Sequence, residues 1–185
     1  MRVTGGIFRS RALRTPKGMA TRPTSDRVRE AVFSILASGG LLEEGSRVLD
    51  LYAGSGALAF EALSRGAAEA VLVEHGRDAL AAIRDNARSL EVDDRVSVIA
   101  SRVERALPQL KGPFAIVFLD PPYALVRSAA FGPVLAASAG LLSDQGALVL
   151  EHASGDVPPI VPLLALDRTR KYGDTAVSLF RISGA

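Results

Sequence analysis

Four consecutive residues, Asp120-Pro121-Pro122-Tyr123, combine groups that could act on an amine attached to a nucleic-acid base. Such an amine is a poor nucleophile because its lone pair is delocalised into the ring. Asp120 and the Pro121 carbonyl could each accept a hydrogen bond from this amine. The two prolines, each with a φ of about −65°, would hold these acceptors in place. The Tyr123 ring offers a surface on which an extruded base can stack. The tetrad therefore predicts a catalytic site for an exocyclic amine, which guanine, adenine and cytosine all carry.

A glycine-rich segment at residues 48–59 has the pattern of a strand, a tight turn and the start of a helix. Gly54 and Gly56 would let the backbone turn sharply and approach a ligand closely. Glu74 ends the next predicted strand, 20 residues after Gly54, where a carboxylate can bind both hydroxyls of a ribose. These features alone fit either a dinucleotide or S-adenosylmethionine.

Asp50 and Tyr52 favour S-adenosylmethionine. A carboxylate at position 50 would repel a pyrophosphate, whereas it would attract a sulfonium and an ammonium. Tyr52 is also more polar than the apolar residue expected beneath a dinucleotide turn. We expect the cofactor to contact Glu74 and the residues of the glycine loop, which are Asp50, Tyr52, Ala53, Gly54, Ser55 and Gly56.

Metal or thiol chemistry has little support in this sequence. There is no cysteine, and the two histidines, His75 and His152, each follow a glutamate at a predicted strand end. Since His, Cys and carboxylate residues are not clustered at metal-ligand spacing, we expect no metal site and only supporting roles for the histidines.

Strands and helices alternate along the chain from Arg47 onward. Apolar runs predict strands at 48–52, 70–74, 96–100, 114–119 and 147–151, and helical spacing predicts helices at 26–37, capped by Thr24 or Ser25, and at 77–90. The segment 163–182, with a turn at 172–174, predicts a closing antiparallel hairpin. This order predicts a doubly wound, mostly parallel α/β sheet with ligands at the carboxyl ends of its strands.

The bulk composition is that of one globular domain. The chain has 185 residues, 48% of them apolar and 23% charged. No apolar run approaches the roughly 20 residues that would span a bilayer. The start of the sequence lacks the apolar core of a signal peptide. We expect a single-domain, monomeric, cytoplasmic protein that does not enter a membrane.

Charge is distributed unevenly along the chain. Residues 1–30 carry eight basic and two acidic side chains, whereas the remainder carries 14 basic and 18 acidic ones. Glycine and proline breakers in residues 1–23 predict an irregular basic arm attached to a catalytic fold at 24–185. A basic arm on a mildly acidic body predicts binding to a polyanion. The expected nucleic-acid contacts are Arg2, Arg9, Arg11, Arg22, Arg27 and Arg29.

Several motifs together carry a family resemblance. They lie at residues 2–6, 22–33, 49–58, 120–123 and 172–175. Over nearly its whole length the chain resembles the bacterial small-subunit ribosomal RNA guanine-N2 methyltransferases. The segment 22–33 is far more specific than the glycine loop or the tetrad, and it favours guanine over the other bases.

The resemblance implies a seven-stranded methyltransferase (Rossmann-like) sheet whose last strand is antiparallel, and ribosomal RNA in an assembling small subunit as substrate. It implies that the cofactor binds at the glycine loop and Glu74, and that the target amine lies at Asp120, Pro121 and Tyr123. The arm and residues 22–29 would approach RNA and the methionine end of the cofactor. Two positions depart from the family: Ser10 replaces a glycine, and Ser101, an expected adenine contact, replaces Asn or Asp.

Two other functions remain open. One is methylation of adenine N6 or cytosine N4 in RNA or DNA, although DNA enzymes of that kind usually carry a separate recognition domain for which 185 residues leave no room. The other is a non-catalytic RNA-binding factor of ribosome assembly, which would have no need of the Asp120 acceptor. Fold alone does not separate these functions.

Overall fold

The computed structural model describes residues 1–16 and 24–184. In these ranges the helices are α1 (Thr24–Ser38), α2 (Ala57–Ser64), α3 (Arg77–Leu90), α4 (Val103–Ala106), α5 (Tyr123–Val126) and α6 (Phe131–Ala139). The strands are β1 (Arg47–Leu51), β2 (Glu69–Glu74), β3 (Val96–Ala100), β4 (Phe114–Leu119), β5 (Leu142–Ala153), β6 (Leu164–Tyr172) and β7 (Thr175–Ile182). None of the described helices combines the length and the apolar character that crossing a membrane requires.

The seven strands form one sheet in the order β3-β2-β1-β4-β5-β7-β6. Strands β1 to β5 are mutually parallel, and β7 is antiparallel to both of its neighbours. Strand β6 therefore runs in the same direction as β1 to β5. The predicted doubly wound, mostly parallel sheet with an antiparallel last strand is confirmed.

The strand order changes direction at β1. From β1 the chain continues outward to β2 and β3, and it then returns to the other side of β1 to form β4. Leu51 at the end of β1 lies opposite Leu119 at the end of β4. Since such a switch point leaves a crevice at the carboxyl ends of the strands, the loops that start at Tyr52 and Asp120 emerge next to each other.

Strand β4, in the middle of the sheet, is buried on both of its faces. Ile116 and Phe118 pack into a core with residues of α1, α2 and α3, whereas Val117 and Leu119 pack into a second core that includes α6. Each of these four side chains is at most 1% exposed. A strand covered by helices on both faces is apolar throughout, as its sequence indicated.

The predicted element bounds agree closely with the structure at β3, β4 and α3. Strand β5 is longer than the predicted 147–151. Leu142 already pairs with β4, and pairing with β7 continues to Ala153. The side chains of Thr24 and Ser25, the predicted helix caps, lie outside the described residues.

Residues 1–16 form a small hairpin that packs against the rest of the fold, so the predicted irregular arm needs correction for this part. The Val3 N–H donates to the Arg11 carbonyl and the Leu13 N–H to the Met1 carbonyl, both at 3.0 Å. Val3 and Leu13 are 2% and 5% exposed because their apolar side chains enter the main core. Ser10, which replaces the family glycine, has a φ of 69°, the left-handed conformation that glycine adopts readily.

Candidate active site

The glycine loop after β1 and the tetrad after β4 line one cavity of about 370 Å³. A second cavity of about 850 Å³ adjoins it and is lined by Glu74 at the end of β2. Tyr52, Gly54, Asp120 and Pro122 line both cavities. The structure thus places the predicted cofactor loop beside the predicted catalytic tetrad.

The glycine loop needs both of its glycines, for different reasons. A Cβ on Gly56 would lie 2.7 Å from Phe60 Cε2 and 2.9 Å from Leu72 Cδ2, so the loop packs tightly against the core there. A Cβ on Gly54 would meet nothing within 4 Å, but Gly54 has a φ of 55°. Gly54 therefore gives the turn its shape and leaves open space where a ligand can approach.

The Glu74 carboxylate is held in place by backbone N–H groups. One oxygen accepts a hydrogen bond from Gly54 at 2.8 Å, and the other accepts from His75 and Gly76, each at 2.7 Å. Oε1 thus accepts two hydrogen bonds and Oε2 one, so Oε2 keeps a lone pair that could accept from a ligand hydroxyl. Sequence reasoning assigned Glu74 only to the cofactor; the contact with Gly54 shows that it also supports the glycine loop.

Asp50 is only 1% exposed, and its Oδ2 accepts a hydrogen bond from the Ala59 N–H at 3.2 Å. Burial raises the pKa of this carboxyl to about 8, and the nearby Asp120 and Glu74 add to the rise, although the hydrogen bond from Ala59 opposes it. At neutral pH Asp50 is therefore mainly protonated unless a cation lies beside it. The full negative charge expected from the sequence would develop only next to such a cation.

The tetrad is positioned by the end of β4 and by the C-terminal hairpin. Asp120 is exposed to the cavities, Pro121 is buried, and α5 begins at Tyr123. The Tyr123 hydroxyl lies 2.8 Å from Oγ1 of Thr175, the first residue of β7, which is 4% exposed. Sequence reasoning missed Thr175 as a site residue, although it ends the motif at 172–175 that supported the resemblance.

Two further lining residues come from distant parts of the chain. Glu151, near the end of β5, and Met1, in the N-terminal hairpin, both line the smaller cavity. Met1 Sδ lies 3.9 Å from the Ser55 hydroxyl. The hairpin is therefore part of the cavity wall as well as a carrier of basic residues, and no local sequence signal indicated this.

Ser101 lies beside the cavities. Its N–H donates to the Glu74 carbonyl at 2.9 Å, and its hydroxyl donates to the Arg102 carbonyl at 3.2 Å. Within the part of the chain that the structure describes, Ser101 lines neither cavity. Its predicted contact with the adenine stays a prediction.

The two histidines lie in different environments. His75 lines the larger cavity and is largely exposed. His152 is 1% exposed, with its Nε2 2.8 Å from Ser178 Oγ, and burial lowers its pKa. In the described ranges, no three His, Asp or Glu side chains are grouped as a metal ion would require.

Arg29 does not reach outward from α1 as expected. It is 4% exposed, its Nε lies 3.2 Å from Glu61 Oε2, and its Nη2 donates to Asp26 at 3.0 Å and to the Arg2 carbonyl. The reason is that Glu61 on α2 is completely buried and requires a cationic partner. The predicted contacts that are exposed are Arg2, Arg9, Arg11 and Arg27, and Arg22 lies outside the described residues.

Glu61 is the centre of what we call the Glu61 cluster, formed with Thr4, Arg29 and Arg65. The carboxylate accepts hydrogen bonds from the Thr4 N–H at 2.8 Å, the Thr4 hydroxyl at 2.7 Å and Arg65 Nε at 2.8 Å. Burial alone would raise the pKa of Glu61, but these hydrogen bonds and the Arg29 charge outweigh it and lower the pKa. The cluster joins the hairpin to α1 and α2, and sequence reasoning did not find it.

The residues at the two cavities fit S-adenosylmethionine. Glu74 provides a carboxylate for the two ribose hydroxyls. Asp50 and Asp120 lie on the methyl-donor side, where a sulfonium or ammonium would relieve the repulsion among the carboxyl groups. A pyrophosphate at this position would increase that repulsion instead.

Known proteins are similar to this chain over its full length. YlbH of Bacillus subtilis (strain 168), whose name assigns it provisionally to the rRNA methyltransferases, is 35% identical over 100% of both chains. Ribosomal RNA small subunit methyltransferase D of Escherichia coli (strain K12) is 35% identical over 98% of this chain and 89% of its own length. The solved structure of yhhF from Escherichia coli, described provisionally as a methyltransferase, is 33% identical, with a TM-score of 0.83 over 100% of this chain and 99% of that one.

The sheet, the glycine loop and these similarities define an S-adenosylmethionine-dependent methyltransferase. Within that class, the chain belongs to the family described as Conserved hypothetical protein 95, whose model matches residues 1–181. The resemblance inferred from the sequence motifs is thereby confirmed at the level of the family.

Proposed function

We propose that this protein transfers a methyl group from S-adenosylmethionine to the exocyclic N2 amine of a guanine in small-subunit ribosomal RNA. The observation that carries this proposal is the position of Asp120, which lines both cavities. Glu74 lines only the larger of them and Tyr123 only the smaller. The adenosine of the cofactor would therefore occupy the larger cavity and the target base the smaller one, and they would meet at Asp120.

The bound cofactor supplies an electrophilic methyl group on a positively charged sulfur. When the amine nitrogen bonds to this methyl carbon, the carbon–sulfur bond breaks and its electron pair stays on the sulfur. The nitrogen then loses one proton. Asp120 is exposed at the cavity, so this proton can pass to solvent beside its carboxylate.

The tetrad prepares the amine for this step. Asp120 and the Pro121 carbonyl accept its two hydrogens, which directs the nitrogen lone pair toward the methyl group. The two prolines fix these acceptors before the base arrives, so little reorganisation accompanies the reaction. The Tyr123 ring stacks on the base, and its hydrogen bond to Thr175 keeps the ring in place.

The RNA substrate is supported by the relatives and by the basic residues. A relative that is 35% identical over 98% of this chain is named for small-subunit ribosomal RNA, and the motif at 22–33 favours guanine. Arg9, Arg11 and Arg27 are exposed and could contact phosphates of an assembling small subunit. We expect a monomer that acts in the cytoplasm, where ribosomes are assembled.

The decisive experiment is nucleoside analysis of a labelled product. Small-subunit particles from cells that lack the gene are incubated with the purified protein and with cofactor labelled on its methyl group, and the RNA is digested to nucleosides. We expect the label in N2-methylguanosine. Label in N6-methyladenosine or N4-methylcytidine would overturn the choice of base. RNA binding without any methyl transfer would favour the non-catalytic assembly factor.

A further inference from the structure

Strand β6 is an uncovered edge of the sheet. From Ala165 to Lys171 every residue is exposed, whereas the neighbouring β7 is buried from Thr175 to Phe180. Arg168, Arg170 and Lys171 give the exposed part of β6 three positive charges, against one negative charge at Asp167. Because β6 runs parallel to β1 and β4, this basic end of the strand lies at the same edge of the sheet as the active site.

The pairing of β5, β7 and β6 places two of these basic residues on the face of the sheet that forms the smaller cavity. Glu151 pairs with Val177, and Val177 pairs with Arg170. Paired residues of antiparallel strands share a face, so Arg170 extends the row of Glu151 and Val177, which both line the cavity. With strands spaced about 4.8 Å apart, Arg170 begins one strand beyond the cavity wall.

A second set of paired residues across β5, β7 and β6 lies on the same face of the sheet. Val149, another lining residue, pairs with Leu179, and Leu179 pairs with Arg168. Lys171 pairs with Ala176 and so belongs to the opposite face, together with His152. Of the three basic residues of β6, Arg168 and Arg170 therefore continue the cavity face of the sheet and Lys171 does not.

We propose that Arg168 and Arg170 form a second RNA-contact surface, which binds the phosphates of the nucleotides next to the methylated base. This inference rests on the proposed function for the class of substrate. It is distinct from the N-terminal hairpin, because β6 lies at the far end of the sheet, beyond β7.

The charges favour a polyanion. The cavity walls carry both signs of charge, with Arg29 and Arg77 beside the carboxylates. The guanidinium groups of Arg168 and Arg170 would add positive charge next to the smaller cavity and attract a phosphate backbone. Among the described residues, Arg168 pairs with its neighbour Asp167 at 2.9 Å, with the side chains 46% and 36% exposed. Such a surface pair contributes little, so a phosphate could replace Asp167 as the partner of Arg168. Within the described residues, the Arg170 side chain has no ion pair or hydrogen bond.

Basic residues on an edge strand also discourage pairing with another sheet. To prevent such pairing, the charged side chains of β6 can lie on either face of the sheet. To contact RNA next to the target base, they must lie on the face that forms the smaller cavity. Comparing the two faces therefore distinguishes the two roles.

The test compares the variant Arg168→Gln/Arg170→Gln with the control Lys111→Gln/Lys171→Gln, each in the full chain. Both variants lose two positive charges from exposed positions, but Lys171 is on the opposite face and Lys111 precedes β4 at the opposite edge. Methyl transfer to small-subunit particles and binding of a fluorescent small-subunit RNA transcript are measured between about 50 and 200 mM salt.

We expect Arg168→Gln/Arg170→Gln to raise the KM for the particles about tenfold. The slope of log affinity against log salt should fall by about 2, one for each lost phosphate contact. The kcat, the cofactor Kd and the melting temperature should match those of the control. Equal RNA affinity and salt slope in the two variants would overturn the proposal. If the wild type binds the transcript but transfers no methyl group, the proposed function fails, and the binding data still decide this inference.

Discussion

Two acidic sites in this protein differ in how the charge of a buried carboxyl group is compensated. In the Glu61 cluster, a completely buried carboxylate has two arginine partners, and its pKa is lowered. At the active site lie Asp50, Glu74 and Asp120, which we call the carboxylate cluster, and the charges of Asp120 and Glu74 add to the rise in the pKa of Asp50. Asp50 has one hydrogen bond from Ala59 and a pKa of about 8.

The difference lies in how the charge of the buried carboxyl, Glu61 or Asp50, is compensated. Burying a charge is unfavourable unless partners compensate for it. The Glu61 cluster contains its own cations, and it fastens the N-terminal hairpin to α1 and α2. Asp50 is buried in the wall of the smaller cavity, where the sulfonium of S-adenosylmethionine would be a compensating cation. We therefore expect changes in the first cluster to affect stability and changes in the second to affect binding and catalysis.

The largest effect is expected from Glu61→Gln. The substitution keeps the shape of the side chain but removes the buried anion that faces Arg29 and Arg65, and it leaves Arg29 only the half-exposed Asp26 as an anionic partner among the described residues. The free energy of unfolding should fall by about 3–5 kcal/mol, measured by urea denaturation.

Glu69→Gln provides the control for Glu61→Gln. Glu69 forms an ion pair with Arg47 at 2.8 Å, but the two side chains are 37% and 38% exposed. Loss of this exposed ion pair should lower the free energy of unfolding by about 0–1 kcal/mol. Similar losses in the two variants would mean that the Glu61 cluster does not stabilise the fold.

Asp120→Asn should act on the rate. The amide keeps the shape but replaces a charged acceptor with a neutral one, so single-turnover methyl transfer should slow by about a hundred- to a thousandfold. Cofactor affinity should persist, because the glycine loop and Glu74 are unchanged. Tyr123→Phe, which keeps the ring and removes the hydroxyl that bonds to Thr175, should be mild by comparison. A near-normal rate for Asp120→Asn would contradict the role of this carboxylate.

Glu74→Ala should weaken cofactor binding by about 2 kcal/mol, because it removes a charged acceptor from two hydroxyls. The lost support of the Gly54 N–H adds to this effect. Calorimetry with S-adenosylmethionine measures it. Glu69→Ala serves as the control and should change the affinity little, because Glu69 is a carboxylate at the opposite end of β2 and lines neither cavity. An unchanged affinity in Glu74→Ala would exclude Glu74 as the ribose ligand.

The pH dependence of binding tests Asp50 with the smallest expected effect. Its folded-state pKa of about 8 lies above the usual 3.8, so the carboxyl is protonated below pH 8 and must lose a proton beside a sulfonium. The quantity to measure is the ratio of the affinity for S-adenosylmethionine to the affinity for its demethylated product, whose sulfur is uncharged. Below pH 8 this affinity ratio should rise with pH by up to about tenfold per pH unit, and above pH 8 it should level off. The ratio cancels the titration of the amino group that both ligands share.

Asp50→Asn is the control for this titration. The amide oxygen can still accept from Ala59, but the group no longer titrates, so the affinity ratio should become independent of pH. A ratio that keeps its pH dependence in Asp50→Asn would assign the titration to another group.

The order of strands and helices, the glycine loop, Glu74 and the tetrad could all be predicted from the sequence. These features depend on contiguous residues: apolar runs form strands, glycines form the turn, and the prolines constrain their own backbone. Their meeting at one edge followed from the general rule for parallel sheets.

Only the tertiary structure decided which distant residues complete these local features. The charge pattern made Arg29 an expected nucleic-acid contact, but the buried Glu61, 32 positions away, determined that its guanidinium turns inward. Tyr123 and Thr175 meet although 52 positions separate them, because β7 inserts next to β5. The Asp50 pKa likewise depends on burial and on neighbours from other strands. The sequence determined what each loop is able to do, whereas the packing of non-adjacent segments determined the charge, direction and partners of its side chains, because those properties arise from contacts that local spacing does not encode.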